Sequence, residues 1–293
     1  MEESFTLSNG IQIPKLGLGT WRIGDSAVVP IVREAITLGY RHIDTAQAYG
    51  NERGVGEGLR ASGIARDEIF VTTKLAAESK SFADARDRID ASLRALGVDH
   101  IDLMLIHSPQ PWSEFRDGGD YDAGNLEAWR ALEEAHAAGK LQAIGVSNFE
   151  RADLENLFAN GSVRPMVNQV LAHVGNTPFD LIDYCRNEDL LMEAYSPVAH
   201  GAAMKNDRLA SMAGKYDVDV AQLCIRYCLQ LGLLPLPKTT HQDHMRSNTD
   251  LDFVISDKDM TALKNATTDM DYGEANAFPV FGKKRRPAAA TER

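Results

Sequence analysis

Hydrophobic residues recur along this chain in short runs that alternate with longer amphipathic segments. A short apolar run bounded by turn residues is typical of a buried strand, whereas apolar positions three and four apart indicate a helix. The runs predict strands at 15–19, 42–44, 69–74, 101–107, 142–148, 166–170, 190–196 and 233–238. The amphipathic segments predict helices at 27–38, 51–62, 82–96, 124–138, 150–159, 179–187, 219–231 and near 257–266.

Turn and cap residues divide these elements. Asn9-Gly10 stands between two apolar triplets and predicts a two-residue hairpin turn near the N-terminus. Asn51 and Ser81 precede helical segments as expected N-caps. Four glycines follow predicted helices as expected C-cap residues: Gly39, Gly63, Gly97 and Gly139.

Strand candidates that are each followed by a helix or a helical loop indicate a parallel sheet. Two architectures share this order, a closed (β/α)8 barrel and an open doubly wound sheet. The length of 293 residues favours the barrel, which typically needs about 250. We therefore expect one α/β domain over 1–293, a (β/α)8 TIM barrel whose N-terminal β-hairpin closes the bottom. Residues 268–293 are expected to form a C-terminal loop and a flexible tail.

Composition narrows the class of protein. The 42 acidic residues outnumber the 31 basic ones, and this argues against nucleic acid or an anionic membrane as a partner. No apolar run reaches about 18 residues, and the N-terminus lacks a basic-then-apolar signal, so neither a membrane span nor a signal peptide is predicted. The three cysteines have neither a disulfide nor a zinc spacing, which favours a reducing, cytoplasmic location.

Groups that can transfer protons stand where three successive predicted strands end. Asp44 ends the second strand and Tyr49 follows in the next loop, while Lys74 and His107 end the third and fourth strands. In a barrel these ends share one rim, and adjacent strands lie about 4.8 Å apart, so the side chains can converge. Each alone is more often a turn, packing or surface residue. The four together predict a catalytic site.

The combination has a chemical logic. A tyrosine normally titrates near about 10. The ammonium group of Lys74 would favour tyrosinate and lower the pKa of Tyr49, while Asp44 would keep Lys74 protonated and oriented. His107 would position a carbonyl oxygen or share in proton transfer. The group therefore predicts an acid that protonates an oxygen as negative charge develops there.

Five segments occur in order along the chain: HIDTAQAYGNE, VTTK, IDLMLIHSP, GVSNF and LPLPKTT. With them the chain resembles the aldo-keto reductase family over about residues 5–270, in particular bacterial aldehyde and ketone reductases of the 2,5-diketo-gluconate reductase type. The resemblance implies a (β/α)8 barrel that reduces carbonyls to alcohols by hydride transfer from NADPH or NADH, without metal. By motif, Asp44, Tyr49, Lys74 and His107 match the family's catalytic tetrad, with Tyr49 as the general acid.

The resemblance also implies where the cofactor binds. Ser147, Asn148 and Gln169 would bond the carboxamide, and the nicotinamide ring would stack on Tyr195. A lysine and hydroxyl residues beside a helix N-terminus suit the 2′-phosphate. The remaining cofactor-binding residues implied are Thr20, Ser196 and Pro197 near the pyrophosphate side, and Lys238, Thr239, Thr240, His244 and Asn248 around the adenosine.

Two departures from the family pattern change the expectations. The family usually has Arg where this chain has His244, and a histidine is mostly uncharged at neutral pH, so we expect NADPH with weakened discrimination against NADH. The family often has Trp where this chain has Ser108, so an apolar wall is missing unless Trp112 or Phe115 refills it. Residues expected to contact a small carbonyl substrate are Trp21, Tyr49, His107 and Trp112. The loops 108–123 and 197–208 and the tail near Phe278 and Phe281 are expected to set substrate choice.

Other functions stay open at the level of sequence. A reductase-like barrel could bind nicotinamide as a regulatory module. Lys74 could form a Schiff base as in an aldolase, although an Asp partner opposes the depressed pKa that a reactive amine needs. His200, His241 and His244 lack the spacing of a metal set, so no metal is expected. The protein is expected to be a monomer.

The glycine-rich stretch GVGEG, 54–58, lies inside a predicted helix and does not directly follow a strand. GLGT, 17–20, lacks a third glycine and a helix directly behind it. Neither is a dinucleotide-binding fingerprint, and both are interpreted as turn or close-packing positions.

Overall fold

The computed structural model describes residues 4–115, 119–268, 270, 272, 273 and 275. Its strands are β1 (Ser4–Thr6), β2 (Gln12–Pro14), β3 (Leu18–Gly19), β4 (His42–Asp44), β5 (Phe70–Leu75), β6 (Ile101–Ile106), β7 (Leu141–Ser147), β8 (Val167–Leu171), β9 (Leu191–Tyr195) and β10 (Leu234–Leu236). Its α-helices are α1 (Asp25–Thr37), α2 (Glu52–Ser62), α3 (Phe82–Leu96), α4 (Asp122–Ala137), α5 (Arg151–Asn160), α6 (Phe179–Asn187), α7 (Asp207–Gly214), α8 (Val220–Gln230), α9 (Gln242–Ser247) and α10 (Asp257–Lys264). Phe278, Phe281 and nearly all of the expected tail lie outside the described residues.

Strands β3 to β10 form one parallel sheet in sequential order, with helices between them. The backbone N–H groups of Gly17 and Gly19 donate to the carbonyl oxygens of Pro235 and Pro237 at 3.3 and 3.0 Å. These bonds bring the first strand of the sheet against the last. The fold is the predicted (β/α)8 barrel, and the open doubly wound alternative is excluded.

The hairpin β1–β2 covers the amino end of the barrel. Asn9 Nδ2 donates to the Gln142 carbonyl oxygen at 3.0 Å, beside the start of β7. The turn is one residue longer than predicted, because the Leu7 N–H bonds the Ile11 carbonyl oxygen at 2.8 Å and encloses three residues. Gly10 closes this turn with a φ of +87°, a conformation that glycine adopts without steric cost.

Two expected N-caps behave differently. Ser81 Oγ accepts a hydrogen bond from the Asp84 N–H at 3.4 Å and caps α3 as predicted. Asn51 occupies the N-cap position of α2 but makes no capping bond. Its buried side chain donates instead to the carbonyl oxygens of Thr20 and Ile23 at 3.0 and 2.9 Å. It therefore ties the loop after β3 to the start of α2.

The expected helices are all present, and α9 and α7 are additions. The longer of the two is α7. It follows a segment that was expected to be irregular, and Asn206 caps it by accepting from the N–H groups of Arg208 and Leu209 at 3.0 and 3.1 Å. Gly63 and Gly97 end α2 and α3 in the left-handed conformation, as predicted. In the described part of the chain, no helix is long and apolar enough to cross a membrane.

The glycines of GVGEG lie where α2 contacts α1 and α3. A Cβ atom at Gly54 would stand 1.8 Å from the Asp25 carbonyl oxygen, and one at Gly56 would stand 1.9 Å from that of Leu96. Both distances are far below van der Waals contact, so only glycine lets these helices approach. The close-packing interpretation is confirmed.

Candidate active site

A cavity of about 730 Å³ opens at the carboxyl end of the barrel strands. The residues expected from the sequence that line it are Trp21, Asp44, Tyr49, His107, Trp112, Ser147, Asn148, Gln169, Tyr195, Ser196, Pro197, Lys238, Thr239, His244 and Asn248. Lys74 is fully buried beneath the cavity, and Thr20 is buried with its hydroxyl donating to the Asp44 carbonyl oxygen at 2.9 Å. Thr240 is exposed and lies outside the cavity lining, next to Thr239, which lines it.

The Lys74 ammonium group joins Asp44 to Tyr49. Neighbouring parallel strands place the first two side chains together, since β4 ends at Asp44 and β5 contains Lys74. Lys74 Nζ lies 2.7 Å from both carboxylate oxygens of Asp44 and 3.4 Å from the Tyr49 hydroxyl oxygen. A third bond, of 2.9 Å, runs from Nζ to the Thr45 carbonyl oxygen. The convergence expected from the strand ends is present.

Gln47 holds the short 3₁₀ turn that carries Tyr49. Its Nε2 donates to the Arg88 carbonyl oxygen at 3.0 Å and to Ser92 Oγ at 2.8 Å. Its Oε1 accepts from the Ala76 N–H at 2.9 Å. Because all three bonds reach outside the turn, they fix the Tyr49 ring against β5.

Burial raises the pKa of Tyr49, and Lys74 opposes that rise while Asp44 adds to it. The net direction is upward, so in the protein without ligands Lys74 acts in the expected sense but does not bring the pKa below its ordinary value. Burial alone would lower the pKa of Lys74, but Asp44 and Tyr49 outweigh it and the net pKa is raised. At neutral pH Tyr49 therefore keeps its proton and Lys74 keeps its charge.

The His107 ring is neutral and stands over Tyr49. Burial, reinforced by the charge of Lys74, lowers its pKa well below 6.5. The ring meets Tyr49 edge-on with the two centroids 5.7 Å apart. Its Nδ1 is buried and has no hydrogen-bond partner among the described residues. The site thus offers an uncharged imidazole that lines the cavity.

Trp112 refills the wall that Ser108 leaves open. Its ring packs edge-on against His107 with centroids 5.1 Å apart, and Phe115 lies 5.8 Å behind it. Ser108 itself is buried. The indole group therefore reaches the cavity from a position four residues later in the chain.

A chain of hydrogen bonds fixes the side chains at the ends of β7, β8 and β9. Ser147 Oγ donates to the Gln169 carbonyl oxygen at 2.8 Å. Asn148 Nδ2 donates to the His107 carbonyl oxygen at 3.0 Å, and the Tyr195 hydroxyl donates to Asn148 Oδ1 at 2.9 Å. Asn148 has a φ of +63°, which asparagine tolerates better than most residues. The predicted carboxamide-binding residues are thus brought together.

Glu193 on β9 is a residue of this site that the sequence analysis missed. It is fully buried, and its Oε2 accepts from Gln169 Nε2 at 2.7 Å. The same Nε2 donates to Asp44 Oδ2 at 2.9 Å. Burial raises the pKa of Glu193 to about 8, and Asp44 adds to the rise. The sequence offered one indication of this role, a single acidic residue within the apolar run LLMEAY. A buried acid needs hydrogen-bond partners, so its presence there indicates polar neighbours.

The far end of the cavity is formed by the loop after β10 and by α9. Thr239 Oγ1 lies 3.5 Å from His244 Nδ1 and accepts from the His241 N–H at 3.1 Å. Asn248 is buried, and its Oδ1 is without a hydrogen-bond partner in the described part of the chain. An unsatisfied buried acceptor beside a cavity is suited to a ligand that donates to it.

Trp21, Arg22 and His200 form a cluster at the mouth of the cavity. The Arg22 guanidinium lies 4.3 Å from the Trp21 ring centroid, and the His200 ring lies 5.3 Å from it. The loop that carries His200 has positive φ angles at Ser196, Ala199 and His200, of 53°, 49° and 53°. The cluster joins the loop after β3 to the loop after β9. Within the described ranges, no group of three or more His, Cys, Asp or Glu side chains is placed to hold a metal.

The chain is similar to known protein sequences over most of its length. The sequence profile of the aldo/keto reductase family matches residues 15–267. An uncharacterized oxidoreductase, YtbE, of Bacillus subtilis (strain 168) is 38% identical over 279 residues, which cover 93% of this chain and 96% of the relative. Glyoxal reductase of the same organism is 36% identical over 275 residues, with 93% and 96% covered.

A solved structure extends the likeness to the fold. A Bombyx mori aldo-keto reductase (AKR2E4) in complex with NADP has a TM-score of 0.84 and 31% identity, with 96% of this chain and 99% of that chain covered. The barrel and these matches define an oxidoreductase. More specifically, the chain belongs to the aldo/keto reductase family. The resemblance inferred from the motifs is confirmed.

Proposed function

We propose that this protein reduces aldehyde or ketone groups of small molecules to alcohols, with NADPH as the hydride donor. One observation carries the proposal. The Tyr49 hydroxyl oxygen lies 3.4 Å from a buried, charged Lys74 at the floor of a ligand-sized cavity. Family membership and the NADP complex of the Bombyx mori relative support the choice of cofactor.

Tyr49 acts as the general acid. When bound, a reduced nicotinamide supplies a hydride to the carbonyl carbon, and the oxygen then needs a proton. Tyr49 holds that proton at neutral pH, and Lys74 stabilises the tyrosinate that remains after transfer. Asp44 keeps the Lys74 ammonium protonated and fixed in place through two bonds of 2.7 Å.

His107 orients the carbonyl oxygen. A neutral imidazole can donate one N–H without competing as an acid, and a charged one would repel Lys74. The ring borders the cavity next to Tyr49, and Trp112 holds its other edge. An oxygen placed between the Tyr49 hydroxyl and the His107 ring is therefore aligned for proton transfer.

The cavity residues fit a nicotinamide dinucleotide. Ser147, Asn148 and Gln169 offer hydroxyl and amide groups to a carboxamide, and the Tyr195 ring lines the same wall. At the far end, the unsatisfied Oδ1 of Asn248 matches the donor character of an adenine amino group.

Lys238 and Thr239 would hold the 2′-phosphate, with His244 beside them. An imidazole adds less attraction for this dianion than the family's usual arginine does, because a guanidinium carries a fixed charge and a planar set of donors. We therefore propose that NADPH is used with reduced discrimination against NADH. Thr240 follows Thr239 directly and is exposed, so its hydroxyl would add to the same phosphate site from its outer side.

The substrate end of the cavity suits a small carbonyl compound. Trp21, His107 and Trp112 surround the space above Tyr49. The name glyoxal reductase, borne by a relative with 36% identity, agrees with a small aldehyde as substrate. The raised pKa of Lys74 disfavours the aldolase alternative, because a Schiff-base lysine must lose its proton. A monomeric state and a cytoplasmic location stay predictions.

The test is a spectrophotometric assay of NADPH and NADH oxidation with a panel of aldehydes, diketones and keto-sugars. We expect turnover of at least the small aldehydes with NADPH. Binding of NADPH without oxidation across the whole panel would instead support the regulatory module.

A further inference from the structure

Glu193, Gln169 and Ser147 form one layer across three neighbouring strands. Glu193 of β9 pairs with Gln169 of β8, which pairs with Ser147 of β7. Paired residues in a parallel sheet direct their side chains to the same face. Ser147 and Gln169 line the cavity, whereas Glu193 is fully buried beside them.

We propose that Glu193 is a positioning residue, which holds the Gln169 amide with its nitrogen toward Asp44 and its oxygen toward the nicotinamide side of the cavity. This inference rests on the proposed function. Glu193 lies outside the cavity lining, and in this proposal it sets the orientation of Gln169, which would bind the cofactor.

The hydrogen bonds of Gln169 define its orientation. An amide nitrogen has two N–H donors, and both are used here, toward Asp44 Oδ2 at 2.9 Å and Glu193 Oε2 at 2.7 Å. Turning the amide over would place its oxygen against the Asp44 carboxylate, which is repulsive, and would break the bond that Glu193 Oε2 accepts. With both donors engaged, Oε1 is the atom left to accept a bond from a carboxamide N–H.

The same contacts connect cofactor binding to the proton donor. Gln169 and Lys74 both bond the Asp44 carboxylate, and Lys74 contacts Tyr49. A shift of the Gln169 amide therefore changes the hydrogen bonding of Asp44 and, through Lys74, the environment of the Tyr49 hydroxyl. Glu193 stands at the end of this series.

Glu193 provides an acceptor with little added charge at neutral pH. The charged groups facing it are Asp44 of β4 and Lys74 of β5, while its partner on β10 is the apolar Leu234. Asp44 already balances the positive charge of Lys74. A second ionised carboxylate, at Glu193, would therefore repel the tyrosinate and oppose loss of the Tyr49 proton. A protonated Glu193 avoids that repulsion and still accepts through Oε2.

Burying the Glu193 carboxyl group lowers the stability of the fold, and a purely structural role for this residue would not explain that loss. Glu193 Oε1 has no hydrogen-bond partner among the described residues, although the side chain is fully buried. An apolar residue of similar length commonly suits such a site as well or better. We therefore expect stability and cofactor binding to respond in opposite directions when Glu193 is replaced.

The experiment compares Glu193→Met and Glu193→Gln with the parent. The melting temperature of the cofactor-free protein and the NADPH dissociation constant, from quenching of intrinsic fluorescence, are measured for each. We expect Glu193→Met to melt no lower than the parent and to bind NADPH about tenfold more weakly, as for one lost buried hydrogen bond. Glu193→Gln, which keeps an acceptor oxygen, should bind NADPH nearly as the parent does.

Glu52→Gln is the matched control. Glu52 is also buried with a raised pKa, and it bonds Thr73 away from the cavity lining. This variant should keep parental NADPH binding. Parental NADPH affinity in Glu193→Met, or equal weakening in Glu193→Gln and Glu193→Met, would overturn the inference. Failure of the parent itself to bind NADPH or reduce any aldehyde would instead remove the proposed function.

Discussion

The Tyr49 hydroxyl oxygen lies 3.4 Å from Lys74 Nζ, and that nitrogen bonds both carboxylate oxygens of Asp44 at 2.7 Å. Lys74 has no exposed surface, so its charge acts on Tyr49 through little intervening water. Asp44 thus holds the charged Lys74 in a fixed place beside Tyr49, which is a weak acid. The proposed proton donation by Tyr49 rests on this contact more directly than on any other feature of the cavity.

Replacing Tyr49 by phenylalanine removes only the proton donor. We expect kcat to fall by about 100-fold or more, as general acids typically contribute. NADPH affinity should stay close to the parental value, because the ring remains. Tyr216→Phe is the control, since its hydroxyl bonds Asp259 at 2.7 Å outside the cavity lining. Near-parental kcat in Tyr49→Phe would contradict the assignment.

Lys74→Met leaves the buried Asp44 carboxylate without its cation. We expect a loss of about 3–5 kcal/mol in the free energy of unfolding, measured in urea, together with loss of turnover. Adding Asp44→Asn should restore part of the stability and none of the turnover. Recovery of turnover in the double variant would show that Lys74 serves only to compensate Asp44.

His244→Arg restores a fixed positive charge near Thr239. The ratio of kcat/KM for NADPH over NADH should rise about tenfold, equivalent to one modest ionic contact. His241→Arg places the same charge outside the cavity lining and should leave the ratio nearly unchanged. A parent protein that already prefers NADPH overwhelmingly would contradict the expected weak discrimination.

Gly56→Ala forces a methyl group against the Leu96 carbonyl oxygen, 1.9 Å from the position of its Cβ. We expect the free energy of unfolding to fall by at least about 1–3 kcal/mol, the usual cost of overpacking. Gly214→Ala is the control, because a Cβ there meets nothing within 4 Å in helix α7. It should melt at the parental temperature or slightly above, and equal losses in both variants would refute the packing argument.

Glu193 also predicts a dependence of stability on pH. Burial raises its pKa from 4.5 to about 8, so its contribution to stability is fully present below pH 4.5 and is lost as pH rises through about 8. Glu193→Gln lacks this loss. The stability of the variant relative to the parent should therefore grow over that range, by up to about 5 kcal/mol, and then stay constant. Denaturant unfolding at several pH values measures it, and a difference independent of pH would contradict the raised pKa.

Much of the site could be predicted because parallel strands end on one rim. Asp44, Lys74 and His107 needed only correct strand ends, and these are set by short apolar runs with clear limits. The barrel followed from the regular alternation of strand and helix. These features are local in sequence, so a single chain contains enough information for them.

Other parts depend on contacts between distant segments. Asn51 stands where a cap is expected, but the carbonyl oxygens of Thr20 and Ile23 compete successfully for its amide. Trp112 reaches the wall left by Ser108 only through the path of its loop. Glu193 occurs in an apolar strand, and nothing local shows that Gln169 will meet it.

The hairpin at the amino end has a consequence for access to the cavity. Since β1 and β2 cover that end, both molecules in the proposed reaction use the opening at the opposite end of the barrel. In that proposed reaction the dinucleotide would bind at Gln169 and Asn148 and the carbonyl compound near Trp21, and all three residues line the same cavity. Both molecules would then enter and leave by the same opening.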